Sequence, residues 1–377
     1  MSGQKTPASV SPVAHATTTG MTGGGFYNQN STPQWDATAA VLEHLEAAAD
    51  ALPIDASGPI CLADFGCSEG RNSISALSRP VSRLVQRTDR PIQTIHSDLP
   101  TNDFSSLLRS LRPEGHSVFG QPNVYSSVVG GSMYDQLLPD RSLHMATTFN
   151  AIGFLSRKPI GTLPGYIFPN GPSAVCNNGY VTEEHQAVFS KLARQDIATF
   201  LKARAKELVP GGKLLLQVFG ANETASTCDG IYDLLNDAVL CFVEDGSISQ
   251  DVYAAYYQPV YMRTLEELTG PVSDPALGAA GLFQIDHATS YEIPVSFNEH
   301  FSADGDLDAY AQEYVNFFRA FTEAVLRNAL PANDQRDTLV EQIYEKAIHL
   351  LKASPDLYPF RYIAVAALMT RTDRMVV

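Results

Sequence analysis

The chain is predicted to be an α/β protein with a mainly parallel sheet and helices on both faces. Three observations carry that expectation. Strand-like segments at 59–65, 92–97, 123–129, 143–149 and 213–219 alternate with helical patterns near 70–88, 103–111 and 182–208, and such alternation belongs to parallel strands joined by crossover helices. The stretch Pro59-Ile-Cys-Leu-Ala-Asp-Phe-Gly-Cys-Ser-Glu-Gly-Arg-Asn72 reads as a buried strand breaking into a glycine turn. A second strand, Ile92-Gln-Thr-Ile-His-Ser97, ends at Asp98, where a nucleotide-type fold holds ribose hydroxyls by charge-assisted hydrogen bonds.

Taken in order, residues 1–20 are mostly Ser, Thr, Ala, Gly and Pro with few large apolar side chains, too little to offset ordering entropy, so a disordered tail is expected. From Asp36 to Leu52 apolar residues recur at helical spacing until Pro53. A helix over 182–208 presents Phe189, Ala193, Ile197, Phe200, Leu201 and Leu208 on one face, and Val209-Pro-Gly-Gly212 stops it before the strand Leu214–Phe219. Beyond Gly220 helical patterns fall at 229–243, 263–269, 307–329 and 335–353, with strands at 282–293 and 360–370. The expected organisation is an α/β domain of 21–159, 181–220 and 282–377. A helical cap is inserted into it, made of 160–180, 221–281 and part of 295–355. No internal repeat is apparent.

Composition bounds the function. A hydrophobic fraction of 44% and a charged fraction of 18% are those of a globular enzyme. The apolar run Tyr362–Met369 is too short to span a bilayer. No charged-then-apolar leader is seen, and the five cysteines, Cys61, Cys67, Cys176, Cys228 and Cys241, form no Cys-x-x-Cys pair, which points to a reducing cytoplasmic setting without structural zinc. A net charge of -15 opposes a phosphate backbone and argues against nucleic acid.

Gly66 and Gly70 lie four apart, which is not the Gly-x-Gly-x-x-Gly spacing of a dinucleotide pyrophosphate turn. A phosphate-free nucleoside fits better, and S-adenosylmethionine is the inferred cofactor. An ordinary tight turn after a core strand is the plain alternative.

At this point the chain resembles the SABATH group of S-adenosylmethionine-dependent carboxyl methyltransferases, from about Met21 to the C-terminus. Met21-Thr-Gly-Gly-Gly-Phe-Tyr-Asn-Gln-Asn-Ser-Thr-Pro-Gln34 is similar to that family's opening segment. Ala63–Asn72 and Ser97–Phe104 resemble its cofactor turn and ribose segment, Gly131–His144 the segment that closes over adenine, and Lys202–Gly212 the late helix and turn. The resemblance implies a class I methyltransferase fold, Rossmann-like, often dimeric. It implies that Tyr27, Cys67, Asn72, Asp98, Leu99, Ser132 and Met133 line the cofactor, that Asp64 and Gly66 shape its turn, and that Gln34 clamps the acceptor carboxylate. A side-chain amide suits that last role, since it donates to a carboxylate without competing as a base.

The chain also departs from the pattern. Where the plant enzymes show Ser-Leu-His-Trp-Leu-Ser, it reads Ala151-Ile-Gly-Phe-Leu-Ser156; Phe154 therefore lacks the indole N–H that helps hold the substrate. Asn150, in place of a common Tyr, is expected to supply the donor, and with Gly153 to leave a smaller, more polar pocket hinting at a small aliphatic or dicarboxylic acid. Phe149, Phe154, Phe168 and Tyr257 are candidate apolar walls. At the magnesium position of some relatives stands Ala254-Ala-Tyr-Tyr-Gln-Pro259; it carries no carboxylate, so no metal is expected.

The function expected is esterification of a small organic acid by in-line methyl transfer, with Gln34 and Asn150 as the catalytic orienting pair and Phe154 beside them. Three alternatives stand next to it: N-methylation of a heterocycle, an NAD-dependent oxidoreductase, whose glycine spacing this chain lacks, and a non-catalytic protein that binds a small acid. The expected partner is a small carboxylic acid, without nucleic acid or membrane, and the resembled family makes a homodimer possible.

Overall fold

The computed structural model describes residues 21–54, 57–111 and 120–374; the expected tail, 1–20, lies outside the described residues. In chain order the elements are α1 (Phe26–Asn30), α2 (Thr32–Ala39), α3 (Leu42–Asp50), β1 (Ile60–Phe65), α4 (Arg71–Arg87), β2 (Ile92–Asp98), α5 (Phe104–Ser110), β3 (Val124–Gly130), β4 (Leu143–Phe149), α6 (Glu183–Glu207), β5 (Leu208–Phe219), α7 (Ile231–Glu244), α8 (Gln250–Ala255), α9 (Leu265–Thr269), β6 (Phe283–Ile293), α10 (Ser296–Asp304), α11 (Leu307–Ala329), α12 (Arg336–Ala353) and β7 (Tyr362–Arg371).

The strands form a 7-stranded sheet in the order β3-β2-β1-β4-β5-β7-β6. Only β7 runs against its neighbours β5 and β6. β1 is buried along its whole length because both faces are covered. Ile60 and Leu62 join the core under α3 and α4, with Leu45, Leu77 and Val81. Cys61, Ala63 and Phe65 join the opposite core under α6, with Ile197, Phe200 and Leu201. A third core gathers α7, α11 and α12 at the start of β7, around Leu235, Tyr314, Phe318, Tyr344 and Tyr362.

Three expectations are corrected. The helix expected from Asp36 to Leu52 is two helices broken at Ala40 and Val41; α3 packs chiefly on α4, while α2 touches α4 and β5 alike. Residues 160–180 hold no helix; their prolines and glycines leave an irregular loop tied to α7. Asp233 on that helix accepts from the Tyr166 hydroxyl at 2.6 Å and Ser173 N at 3.2 Å. The Pro-Gly-Gly turn does not precede a strand but lies within β5, where the register against β4 shifts between Leu143 and Met145 and Gly211 takes φ +78.

Candidate active site

Strands β1, β2 and β4 end at one edge of the sheet, where chain order reverses from β1 outward, and this is where open α/β sheets bind ligands. At the end of β1, Gly66 has φ +92, and a Cβ there would lie 2.1 Å from that of Ala151. Only glycine fits that closeness. Asp98 ends β2, its Oδ2 accepting from Ser68 N at 2.7 Å and its Oδ1 from Leu99 N at 2.7 Å. It stays open to the cleft by area, yet burial pushes its carboxyl up and the two backbone N–H groups pull it back. Asp64, beneath the turn, is buried and pushed up to about 6 by burial, against hydrogen bonds from Ser73 and Thr147.

The segment Gly131–Leu138 is built from α6. Arg204, fully buried, donates to Met133 O at 2.8 Å and Asp135 O at 2.8 Å and pairs with Glu207 at 2.7 Å. Glu207 in turn accepts from Leu137 N at 2.6 Å and Leu138 N at 3.0 Å. The buried charge is thus fully partnered. The motif Lys202–Gly212 carried this pair, but its role in placing Ser132 and Met133 was not visible in the sequence.

A cleft of ≈ 1040 Å³, space at its mouth included, runs from this turn to α7 and α11. Tyr27, Gln34, Gly66, Asp98, Leu99, Ser132, Met133, Asn150 and Phe154 all line it. Asp64, Cys67 and Asn72 do not; they line a smaller adjoining pocket that shares Tyr27, Gly66, Ser68, Phe149 and Asn150 with the cleft.

Two amide side chains, Asn150 and Gln34, line the cleft. Asn150, in the left-handed region at φ 64, accepts on Oδ1 from the Tyr362 hydroxyl at 3.0 Å and from Gln217 Nε2 at 3.3 Å. Gln217 is held by Thr38 Oγ1 at 3.4 Å. With its oxygen taken by two donors, the amide has its N–H groups left for a ligand. Gln34, on α2, is buried, and its Oε1 has no partner among the described residues.

Beyond the amides the walls are Phe149, Phe154, Phe219, Ile231, Tyr232, Met262, Phe317 and Phe321. Phe149 and Phe154, both expected as walls, line the cleft. Phe168 and Tyr257 are not walls: Phe168 stacks behind Tyr232 at 4.1 Å, and Tyr257 packs on Phe189 at 5.4 Å. Nor does Gly153 enlarge the pocket, because a Cβ there would meet the Phe219 ring at 2.2 Å. The space the missing side chain leaves is filled, and the pocket is aromatic rather than polar. Tyr362, Phe219, Tyr232, Met262, Phe317 and Phe321 were missed; only the apolar periodicity of 307–329 hinted at the last two. In the stretch Ala254–Pro259, Gln258 is buried and donates to the Tyr256 hydroxyl at 2.8 Å. Among the described residues no helix is long and apolar enough to cross a membrane.

The fold is that of a class I methyltransferase, with an aromatic cleft beside the glycine turn. The profile of the SAM dependent carboxyl methyltransferase family matches residues 15–371, and the chain belongs to that family. It is 24% identical over 330 residues to the methyltransferase FUS9 of Gibberella moniliformis, covering 85% of this chain and 86% of that one. It is 31% identical over 248 residues to the salicylate carboxymethyltransferase of Clarkia breweri, covering 62% of this chain and 64% of that one. In structure it is similar to a loganic acid methyltransferase with SAH, at TM-score 0.76 and 22% identity, covering 94% of this chain and 99% of that one. The family assignment sets aside the oxidoreductase and binding-protein alternatives.

The residues fit S-adenosylmethionine. Carboxylates of Asp98, Glu69 and Asp64 surround Tyr27, whose hydroxyl burial and these charges hold well above its usual range. No Lys, Arg or His lines the cleft among the described residues. Such a field suits a cationic sulfonium.

Proposed function

We propose that this chain esterifies an apolar monocarboxylic acid, with Gln34 and Asn150 orienting its carboxylate and Asp98, Leu99, Ser132, Met133 and Tyr27 holding the cofactor. The supporting observation is that two buried amides, Gln34 and Asn150, line an aromatic cleft with no cation among its described lining residues. A carboxylic acid of pKa about 4 is ionised at neutral pH, so no base is required, and among the described residues the cleft holds no His, Lys or Cys to serve as one. That favours a carboxylate over a heterocyclic N–H as acceptor. S-adenosylmethionine supplies the methyl group when bound. The chain's own work is to fix one carboxylate oxygen by donated hydrogen bonds and to keep water out with Phe149, Phe154 and Phe219.

The same walls argue against the dicarboxylic acceptor hinted at by sequence, because a second carboxylate buried without a partner costs several kcal/mol. In a panel of acids scored for methyl esters by mass spectrometry, apolar aliphatic or aromatic monoacids are expected to outperform dicarboxylates by about tenfold or more. Dicarboxylates on top would overturn this reading.

The acidic field predicts a pH dependence. Deprotonated Asp64 and Asp98 attract the sulfonium and not the neutral sulfide of S-adenosylhomocysteine. The affinity ratio of the two ligands is therefore highest above pH about 6 and falls as pH drops through the Asp64 value of about 6. By calorimetry at about pH 7.5 and about pH 5, a decrease of about three- to tenfold in that ratio is expected; an unchanged ratio would place the sulfonium away from these carboxylates.

A further inference from the structure

We propose that Glu69 and Arg71 form a clasp that holds α1 shut over the cofactor turn, so that closure of this segment and cofactor binding are one event. The proposal rests on the cofactor reading above. Glu69 sits in the glycine turn with 1% of its surface exposed. Its Oε1 accepts from Gly25 N at 2.6 Å and its Oε2 from Asn28 N at 3.2 Å, 44 and 41 residues away in sequence. Arg71, on the outer side of the turn, donates to Asn28 O. Two side chains, one in the turn and one at the first residue of α4, thus grip both the start and the middle of α1.

The segment they grip is short and hinged. Helix α1 has 5 residues and no side-chain cap of its own, far below the length at which a helix holds itself. Upstream lie Gly24 at φ +73 and Gly25 at φ +85, with nothing within 4 Å of a Cβ at Gly24. Glycine is required there by the backbone and not by packing, as in a hinge. Before the hinge, Thr22 N is tethered to Ala320 O at 3.1 Å. After α1, Ser31 leads straight into α2, which carries Gln34. Between hinge and α2 stands Tyr27, which lines both the cleft and the adjoining pocket.

Closure is poised. Shutting α1 takes the Glu69 carboxylate out of water, which is costly, and returns charge-assisted bonds from two backbone N–H groups, which offset that cost. Among the described residues no cation pairs with Glu69. A ligand beneath Tyr27 adds the remaining contacts, so it decides whether the segment is shut. Glu69 and Arg71 are therefore positioning residues, acting through Tyr27 and Gln34.

The test uses the full chain with Glu69→Gln and, separately, Arg71→Ala, whose side chain is exposed and whose loss leaves the core intact. The readouts are the dissociation rate of S-adenosylhomocysteine by stopped flow and acrylamide quenching of Trp35, the single tryptophan, which follows Gln34 on α2 and is half-buried. In the wild type, ligand binding is expected to shield Trp35. In Glu69→Gln the dissociation rate should rise about tenfold, the shielding should be lost, and the melting temperature of the free protein should stay near wild type. Arg71→Ala should move both readouts the same way by less, and decides the matter if Glu69→Gln fails to fold. Wild-type dissociation and shielding in the variants overturn the clasp alone. No binding of S-adenosylhomocysteine to the wild type overturns the cofactor reading and the clasp with it.

Discussion

Asp98→Ala is expected to weaken S-adenosylhomocysteine binding by about ten- to a hundredfold. The carboxylate is placed before any ligand arrives: Ser68 N and Leu99 N each hold one oxygen at 2.7 Å, and each oxygen keeps lone pairs toward the cleft it lines. Hydrogen bonds to a charged group contribute roughly 1.5 to 3 kcal/mol, which converts to that range of affinity. A second consequence separates this role from packing. Asp98 is one of the groups that raise the Asp64 carboxyl above its ordinary value, so in Asp98→Ala the Asp64 titration should move down, toward ordinary carboxylates. Calorimetry across pH reads both effects. Full affinity in a folded variant would mean that the ribose is held elsewhere.

What the sequence disclosed, and what it did not, follows from how far apart the cooperating residues lie. β1 was legible because a strand covered on both faces must be apolar throughout, and its glycine turn because Gly66 faces Ala151 too closely for any side chain. α11 was legible from its periodicity, and its expected bounds match the observed Leu307–Ala329. The break between α2 and α3 was not, since the apolar spacing runs on through both halves. The acceptor pocket was misread for a related reason. Gly153 looks like removed bulk in one dimension, but the ring that replaces the bulk belongs to Phe219, at the end of another strand. Similarly, Asn150 was singled out as a donor from its place in a motif. That its oxygen is occupied by Tyr362 and Gln217, which leaves its N–H groups as the free donors of the proposed clamp, depends on β5 and β7 meeting it in space. Pairings across 212 and 67 residues leave no local pattern.

Asn150→Asp is expected to produce the largest loss of activity. The substitution keeps size and shape, and Asp tolerates the left-handed φ of 64 observed here. The Tyr362 hydroxyl and Gln217 Nε2 can still donate to it. What changes is that a donor toward the acceptor carboxylate becomes a like charge. At about 4 Å and an effective dielectric of about 20 that repulsion is about 4 kcal/mol, or about a thousandfold in kcat/KM. Binding of S-adenosylhomocysteine should change little, because the altered atoms face the acid. The sign with pH is also fixed. Position 150 is only 6% exposed, so burial raises the new carboxyl above its ordinary range. As pH falls through that raised value the group gains a proton, becomes a donor again and restores part of the rate, opposite to the acid limb expected of the wild type, whose substrate must stay ionised. Kinetics on the best acid of the panel, from about pH 8 down to about pH 5, decide it. A variant that loses only a few fold, with no recovery on acidification, would show that Asn150 does not face the acceptor carboxylate and that its hydrogen bonds to Tyr362 and Gln217 serve only to join β4 to β5 and β7.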